Sequence, residues 1–230
     1  MSERADRPYD VVVFGATSFV GQILCKYLVD RIGVEGSVSW AIAGRSSSKL
    51  EEVANDTGAT VPRIVADAAD LTAMSSLVES TQVVISTVGP YAKYGSVLVE
   101  AAAKAGTDYC DLTGEPQWMS KMIDAYQTEA EESGARIVHS CGFDSIPSDL
   151  GVWFTQQEAL AKFEEPCTQI EMRVKTLKGG ASGGTIASGL NVVAEAVADP
   201  SLRKVLANPY ALAPAEHRTG VDQPEVTLPK

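Results

Sequence analysis

Tyr9-Asp10-Val11-Val12-Val13-Phe14-Gly15-Ala16-Thr17-Ser18-Phe19-Val20-Gly21 joins a β-branched apolar run to a glycine-bounded turn, and residues 19–32 continue with apolar positions at helical spacing. This order predicts strand, tight turn and helix. A dinucleotide fingerprint has to lie in such a turn, where the first helical N–H groups and the helix dipole favour a diphosphate. Gly15 lets the chain leave the strand sharply, and Gly21 lets the helix approach the sheet. Ala16, Thr17, Phe19 and Val20 complete the predicted binding turn. Ser18 stands where the fingerprint has its middle glycine. A serine is small and can hydrogen-bond phosphate, which predicts weakened rather than abolished binding. The plain alternative is a strand-turn-helix with a glycine at each end, and the neighbouring strands decide between the two.

The second apolar run, residues 38–43, stops at Gly44-Arg45-Ser46. A cofactor with a free ribose 2′-hydroxyl meets an acidic residue at this position, whereas a 2′-phosphate needs a cation. Arg45 offers a charge-assisted contact and Ser46 a further donor, with no carboxylate to repel the phosphate. NADP(H) is therefore expected over NAD(H). A merely solvated Arg45 is the weaker reading, since a cation at a helix start opposes the dipole. Asp67, ending the third strand, either accepts from the adenine amino group or serves as a cap or loop residue. Val88-Gly89-Pro90-Tyr91 ends the fourth strand at the edge where open α/β sheets hold ligands. Gly89 leaves room for ribose or nicotinamide, and Tyr91 either packs on the ring or is a rim aromatic.

Outward from these motifs, strands at 61–66, 83–88, 108–112 and 136–140 alternate with helices at 71–79, 97–104 and 118–132. The expected fold class is α/β, a Rossmann-type doubly wound parallel sheet followed by a smaller, incomplete α+β domain. The first domain is read as residues 8–150, a partial substrate or dimerisation domain as 151–212, and a loop or linker tail as 213–230. Within the second, residues 150–160 read as a helix, 169–177 as a half-solvated strand and 185–198 as a helix. Residues 179–184 lack the Lys-Ser/Thr ending of a phosphate loop and read as a tight crossover.

Composition narrows the function. The 230 residues carry a formal net charge of -11, which disfavours nucleic acid and anionic lipid as non-specific partners. Cys25, Cys110, Cys141 and Cys167 have no zinc-site spacing, so no metal is expected; the thiols read as reduced, and Cys110 and Cys141 as buried. No stretch reaches the roughly 20 apolar residues of a membrane span. The expectation is a cytoplasmic protein, at most peripheral to the membrane.

Taken together, these segments resemble the saccharopine dehydrogenase-like oxidoreductases. The likeness is carried by Gly15-Ala16-Thr17 with Phe19 and Gly21, by Ala43-Gly44-Arg45, and by Gly89-Pro90-Tyr91. Two longer segments are more specific: residues 109–115, Tyr-Cys-Asp-Leu-Thr-Gly-Glu, and residues 142–149, Gly-Phe-Asp-Ser-Ile-Pro-Ser-Asp. Within the group the chain is most similar to the trans-acting enoyl reductases. That resemblance implies NADPH-dependent reduction of a conjugated C=C bond in a lipid or polyketide intermediate, carried by a polyketide synthase. Members of the group are considerably longer, which is why the second domain reads as incomplete; an exposed apolar face there would favour a homo-oligomer.

Reduction of such a bond takes a hydride and a proton. Tyr91, His139, Asp144 and Ser145 fall at or after strand ends on the ligand edge and are the candidate catalytic residues, with Tyr109 beside them. His139 has the only near-neutral ordinary pKa of the set. For each there is an equal structural reading: His139 as a hydrogen-bonded core residue, Asp144 or Ser145 as a cap of the next helix. Asp111, Thr113 and Glu115 read as ties between a loop and helix starts. Two competing functions remain open, a saccharopine-type amino-acid dehydrogenase and a non-catalytic NADP-binding scaffold.

Overall fold

The structure is a computed structural model, and it describes residues 6–176 and 178–214. The first half runs β1 (Tyr9–Phe14), α1 (Phe19–Arg31), β2 (Trp40–Gly44), α2 (Ser47–Thr57), β3 (Arg63–Val65) and α3 (Leu71–Glu79). Next come β4 (Thr81–Ser86), α4 (Tyr91–Tyr94), α5 (Ser96–Ala105), β5 (Asp108–Asp111), α6 (Pro116–Ser133) and β6 (Ile137–Val138). Three helices follow, α7 (Ile146–Phe163), α8 (Gly183–Ala198) and α9 (Leu202–Ala207).

Among the described residues the strands form one parallel sheet in the order β3-β2-β1-β4-β5-β6. Every pair being parallel, each connection must cross over, and a helix fills each crossover. The strand order reverses between β1 and β4, so helices leave in opposite directions there and open a crevice at the carboxyl ends. Register fixes what meets at that crevice: Phe14 of β1 lies beside Ala43 of β2 and Ser86 of β4.

Alternate residues of each strand feed two cores. Val12, Phe14, Val84 and Tyr109 face α3, α5 and α6, together with Leu77, Leu98 and Trp118. Val13, Ile42 and Trp40 face α1 and α2 with Cys25, Leu28 and Leu50. Each fully buried aliphatic side chain contributes roughly 1.5–3 kcal/mol relative to exposure, and the apolar runs of β1 and β2 serve both faces. Side-chain caps mark two of the helix starts. Ser46 accepts from the Lys49 amide at the start of α2, and Asp70 accepts from Thr72 and Ala73 at the start of α3.

The C-terminal region departs from expectation. Residues 169–176 carry no regular structure where a strand through 177 was expected; residue 177 lies outside the described residues. Alternating residues become a strand only when a neighbour accepts the backbone hydrogen bonds. No described strand lies beside this segment, and Met172 and Val174 are exposed. Residues 151–214 accordingly hold helices and no strand among the described residues, not the expected α+β mixture. β6 is also shorter than residues 136–140, because Ser140 adopts a left-handed φ of 59° and turns the chain away. Position 150, the expected boundary, lies within α7. Most of the expected tail, residues 215–230, lies outside the described residues.

Candidate active site

The turn after β1 is held from three sides. Gly15 adopts φ +87°, and a Cβ there would lie 2.6 Å from Val88 Cγ2 and 2.8 Å from Thr87 Oγ1. A Cβ on Gly21 would fall 2.3 Å from the Gly15 carbonyl oxygen, so α1 sits on the turn as closely as backbone permits. The Gly15 and Ala16 amides donate to the Ala43 carbonyl of β2. By contrast, the amides of Thr17, Phe19 and Val20 find no acceptor among the described residues. Unpaired N–H groups at a helix start form an anion site, and the residues present fit a diphosphate.

Ser18 has a role other than the one its position suggested. Its Oγ accepts from the Gly21 amide at 2.9 Å, capping α1, and lies 2.9 Å from Thr87 Oγ1. Thr87 donates to the Gly15 carbonyl at 2.8 Å, and a carbonyl can only accept. Ser18 must therefore supply the proton between the two hydroxyls. Its donor is committed to the protein, so Ser18 builds the cradle and does not reach out to phosphate. Thr87, which sequence reasoning passed over, closes this relay; its place directly after β4 was the available signal.

One strand over, Arg45 follows β2, is exposed, and makes no hydrogen bond or ion pair among the described residues. A Cβ on Gly44 would lie 3.9 Å from Thr17 Cγ2, which puts Arg45 beside the turn. Ser46 caps α2 and shares a hydrogen bond with Ser48. The exposed Asp67 accepts from the Ala69 amide within its own loop, while the capping role at α3 falls to Asp70.

A cleft of about 410 Å³ opens beside the turn. Ser18, Phe19, Val20, Thr87, Gly89 and Tyr91 line one side, and Ser182 with Thr185, Ser188 and Val192 of α8 line the other; Leu112 and Asp144 complete the wall. Its lining contains one carboxylate, Asp144, which is exposed, and no Lys or Arg. Thr185, Ser188 and Val192 carried no motif that marked them as cleft-forming. Val88 packs against the α3–α5 core, and Pro90 follows a cis peptide bond and precedes α4.

Tyr91 borders the cleft, but its hydroxyl turns inward, donating to the Ser86 carbonyl at 3.1 Å and accepting from the Leu112 amide at 3.4 Å. Burial, then the nearby Asp111 carboxylate, pushes this phenol well above its ordinary value. It is poorly placed to release a proton. Beneath it the fully buried Glu115 accepts from the Tyr91 and Ala92 amides, at 2.8 and 2.9 Å, and from Ser188 Oγ at 2.8 Å. One carboxylate thus holds the start of α4 and fastens α8 to it, the kind of tie the sequence suggested.

His139 lies outside the cleft. Its Nδ1 donates to Asp111 Oδ2 at 2.7 Å, its ring meets Trp118 edge-on at 5.0 Å, and it borders a gap of about 40 Å³ between α5 and α6. Asp111 also accepts from the Thr113 and Ser140 amides and the Tyr109 hydroxyl. The two residues form a buried polar knot joining β5, β6 and α6, on the sheet face opposite α1. Ser145 precedes α7 and its side chain makes no capping bond. Of the four catalytic candidates the structure brings Tyr91 and Asp144 to the cleft and leaves His139 and Ser145 away from it. Cys141 is exposed, where a buried thiol was expected, and Cys110 is half-buried. Burial first, then Cys141 and Asp111, pushes the Cys110 thiol up to about 12.

Residues 11–138 match the family model described as the saccharopine dehydrogenase NADP binding domain. The chain belongs to this family. Its cofactor is NADP(H), in keeping with the cationic Arg45 where a carboxylate would select NAD(H). A Mycobacterium tuberculosis protein named as a candidate trans-acting enoyl reductase is 45% identical over 211 residues, covering 90% of this chain and 50% of its own length. A trans-acting enoyl reductase of Mycobacterium bovis is 38% identical over 213 residues, with the same two coverages. The chain spans about half the length of the curated relatives it matches. Among solved structures, the saccharopine dehydrogenase (L-Glu forming) of Saccharomyces cerevisiae superposes with a TM-score of 0.54 at 20% identity. That likeness, over 66% of this chain and 32% of the yeast protein, concerns the fold. No helix among the described residues is long and apolar enough to cross a membrane.

Proposed function

We propose that the cleft is the site of an NADPH-dependent enoyl reductase acting on a conjugated C=C bond of a polyketide or lipid intermediate. The observation that carries the reading is the joint placement of three unpaired amides, at Thr17, Phe19 and Val20, and the unpartnered Arg45 around one glycine-built turn. The names of the relatives at 45% and 38% identity supply the reaction class. A saccharopine-type substrate is disfavoured by the cleft itself, whose lining offers no cation to substrate carboxylates.

In this reading the parallel sheet with its flanking helices holds the cofactor and α7 to α9 begin the substrate side, with the acyl group delivered by a polyketide synthase. Bound NADPH supplies a hydride for the β-carbon. The amides of the α1 start hold the diphosphate, and Arg45 neutralises the 2′-phosphate. Gly89 keeps backbone close to the reacting plane without a side chain in the way. Phe19, Leu112 and Val192 give the acyl chain an apolar wall. Asp144, the carboxylate of the lining, passes a solvent proton to the α-carbon, which balances the hydride.

Calorimetric titration with NADPH and NADH, followed by NADPH oxidation with a 2-enoyl thioester, tests this reading. Expected are tight NADPH binding, weak NADH binding and thioester-dependent oxidation. Equal affinity for the two cofactors would remove the role of Arg45, and absence of turnover with bound NADPH would leave a scaffold.

A further inference from the structure

The sheet is covered unevenly. Register places Val83 and Ile85 of β4, Cys110 of β5 and Val138 of β6 side by side on one face, the same face as Val11 and Val13 of β1. α1 and α2 cover that face over β1, β2 and β3 and do not extend to β4, β5 and β6. Val83, Ile85, Cys110 and Val138 belong to neither core, and Val138 is 51% exposed. Parallel sheets are stable with both faces covered, because their strands are apolar on both sides. Three strands spaced about 4.8 Å apart leave a strip about 14 Å across, the width of one or two helices of about 10 Å.

α8 shows the same deficit from another direction. Ser188, Asn191 and Glu195 share one face and turn toward Glu115 and Gln117; Ser188 and Glu195 bond to them and Asn191 is buried. Ile186, Leu190, Val193 and Val197 share the opposite face and are all exposed, Leu190 to 68%. The helix docks by its polar side and presents its apolar side outward, the reverse of a surface helix. α7 likewise leaves Trp153 and Phe154 exposed and buries Ala159 alone.

We infer that this surface is the seat of a second polypeptide body, the complementary half of a family member, which lays an apolar helix across β4, β5 and β6 and packs against α8. The choice of occupant rests on length. Relatives at 45%, 38% and 37% identity each match this chain over half of their own sequence, so each carries as much polypeptide again to place. Apolar side chains left uncovered on a sheet face and on a helix face mark a place of association. The inference does not depend on the reaction assigned to the cleft.

Co-expression of this chain with the unmatched half of the 45%-identical Mycobacterium tuberculosis relative tests it, read by sedimentation and by N-ethylmaleimide labelling of the exposed Cys141. A one-to-one complex with loss of Cys141 labelling is expected, and both effects should vanish in Val138→Asp and Leu190→Glu. Those side chains are already solvated, and an unchanged NADPH titration verifies that each variant is folded. Failure to associate, or association that survives both substitutions, overturns the inference. Self-association of this chain that protects Cys141 overturns it in favour of a second copy. So does a fusion of the two halves in which Cys141 labels as fast as in the chain alone.

Discussion

Ser188 donates to Glu115 across 73 positions of sequence, and the carboxylate oxygen it uses also accepts from the Tyr91 amide. α8 is thereby referenced to the loop that borders the proposed nicotinamide position. Because Glu115 keeps two amide donors when Ser188 is lost, Ser188→Ala should loosen α8, which is left with the Gln117–Glu195 bond, while leaving the loop intact. A hydrogen bond to a charged group contributes about 1.5–3 kcal/mol. KM for the enoyl substrate is expected to rise about tenfold, NADPH affinity should be unchanged, and Ser188→Thr should recover most of the loss. Equal loss of cofactor affinity would contradict a role confined to α8.

Glu115→Gln is expected to act differently. It puts an NH₂ group where a buried carboxylate accepts three bonds, so at least one donor faces another donor. Stability should fall by about 2–4 kcal/mol, measured as a lower midpoint in urea. A midpoint within error of the parent chain would refute the assignment.

Arg45→Ala removes the cation beside the turn. NADPH affinity should drop by about 10- to 100-fold, the equivalent of one or two charge-assisted bonds, with NADH affinity nearly unaltered. Calorimetry on both cofactors decides, and a parallel drop for NADH would assign Arg45 to folding.

Gly21→Ala inserts a methyl group 2.3 Å from a carbonyl oxygen that cannot yield without moving the turn. A loss of about 1–3 kcal/mol in stability is expected from overpacking, together with weakened NADPH binding. Gly134→Ala, where a Cβ meets nothing within 4 Å but φ is +78°, separates backbone strain from crowding.

Alkaline behaviour follows from one buried and one half-buried thiol. Burial raises Cys25 to about 11 and Cys110 to about 12, against an ordinary value of 9.0. The folded chain therefore binds protons more tightly than the unfolded chain above pH 9, and stability falls as pH rises. The contribution is intact below pH 9 and is lost between pH 9 and 12. Urea midpoints across that range should decline less in Cys110→Ala than in the parent; an identical slope would show that Cys110 does not contribute.

Local signals made much of this fold legible. The 71–79 helix rests on apolar periodicity, which a sequence displays directly. The glycines of the turn were readable for the same reason. The bonds of Thr87 were not, since their partners, Gly15 and Ser18, lie in the turn after β1 and are brought to it only by the β1–β4 register. His139 was drawn toward the ligand edge by its place near a strand end, but the strand's alternation sends it to the face of Trp118 and Asp111. The segment at 169–176 shows the reverse failure. Its pattern is that of a strand, and no partner strand realises it.

The ordered hydroxyls of Ser18 and Thr87 settle the shape of the loop after β1 in advance. An arriving diphosphate meets donors that already stand at fixed angles, so little chain entropy is left to lose on docking. Uptake of the dinucleotide should then proceed in a single kinetic phase, without a slow rearrangement, and the loop should superimpose in the ligand-free and loaded forms.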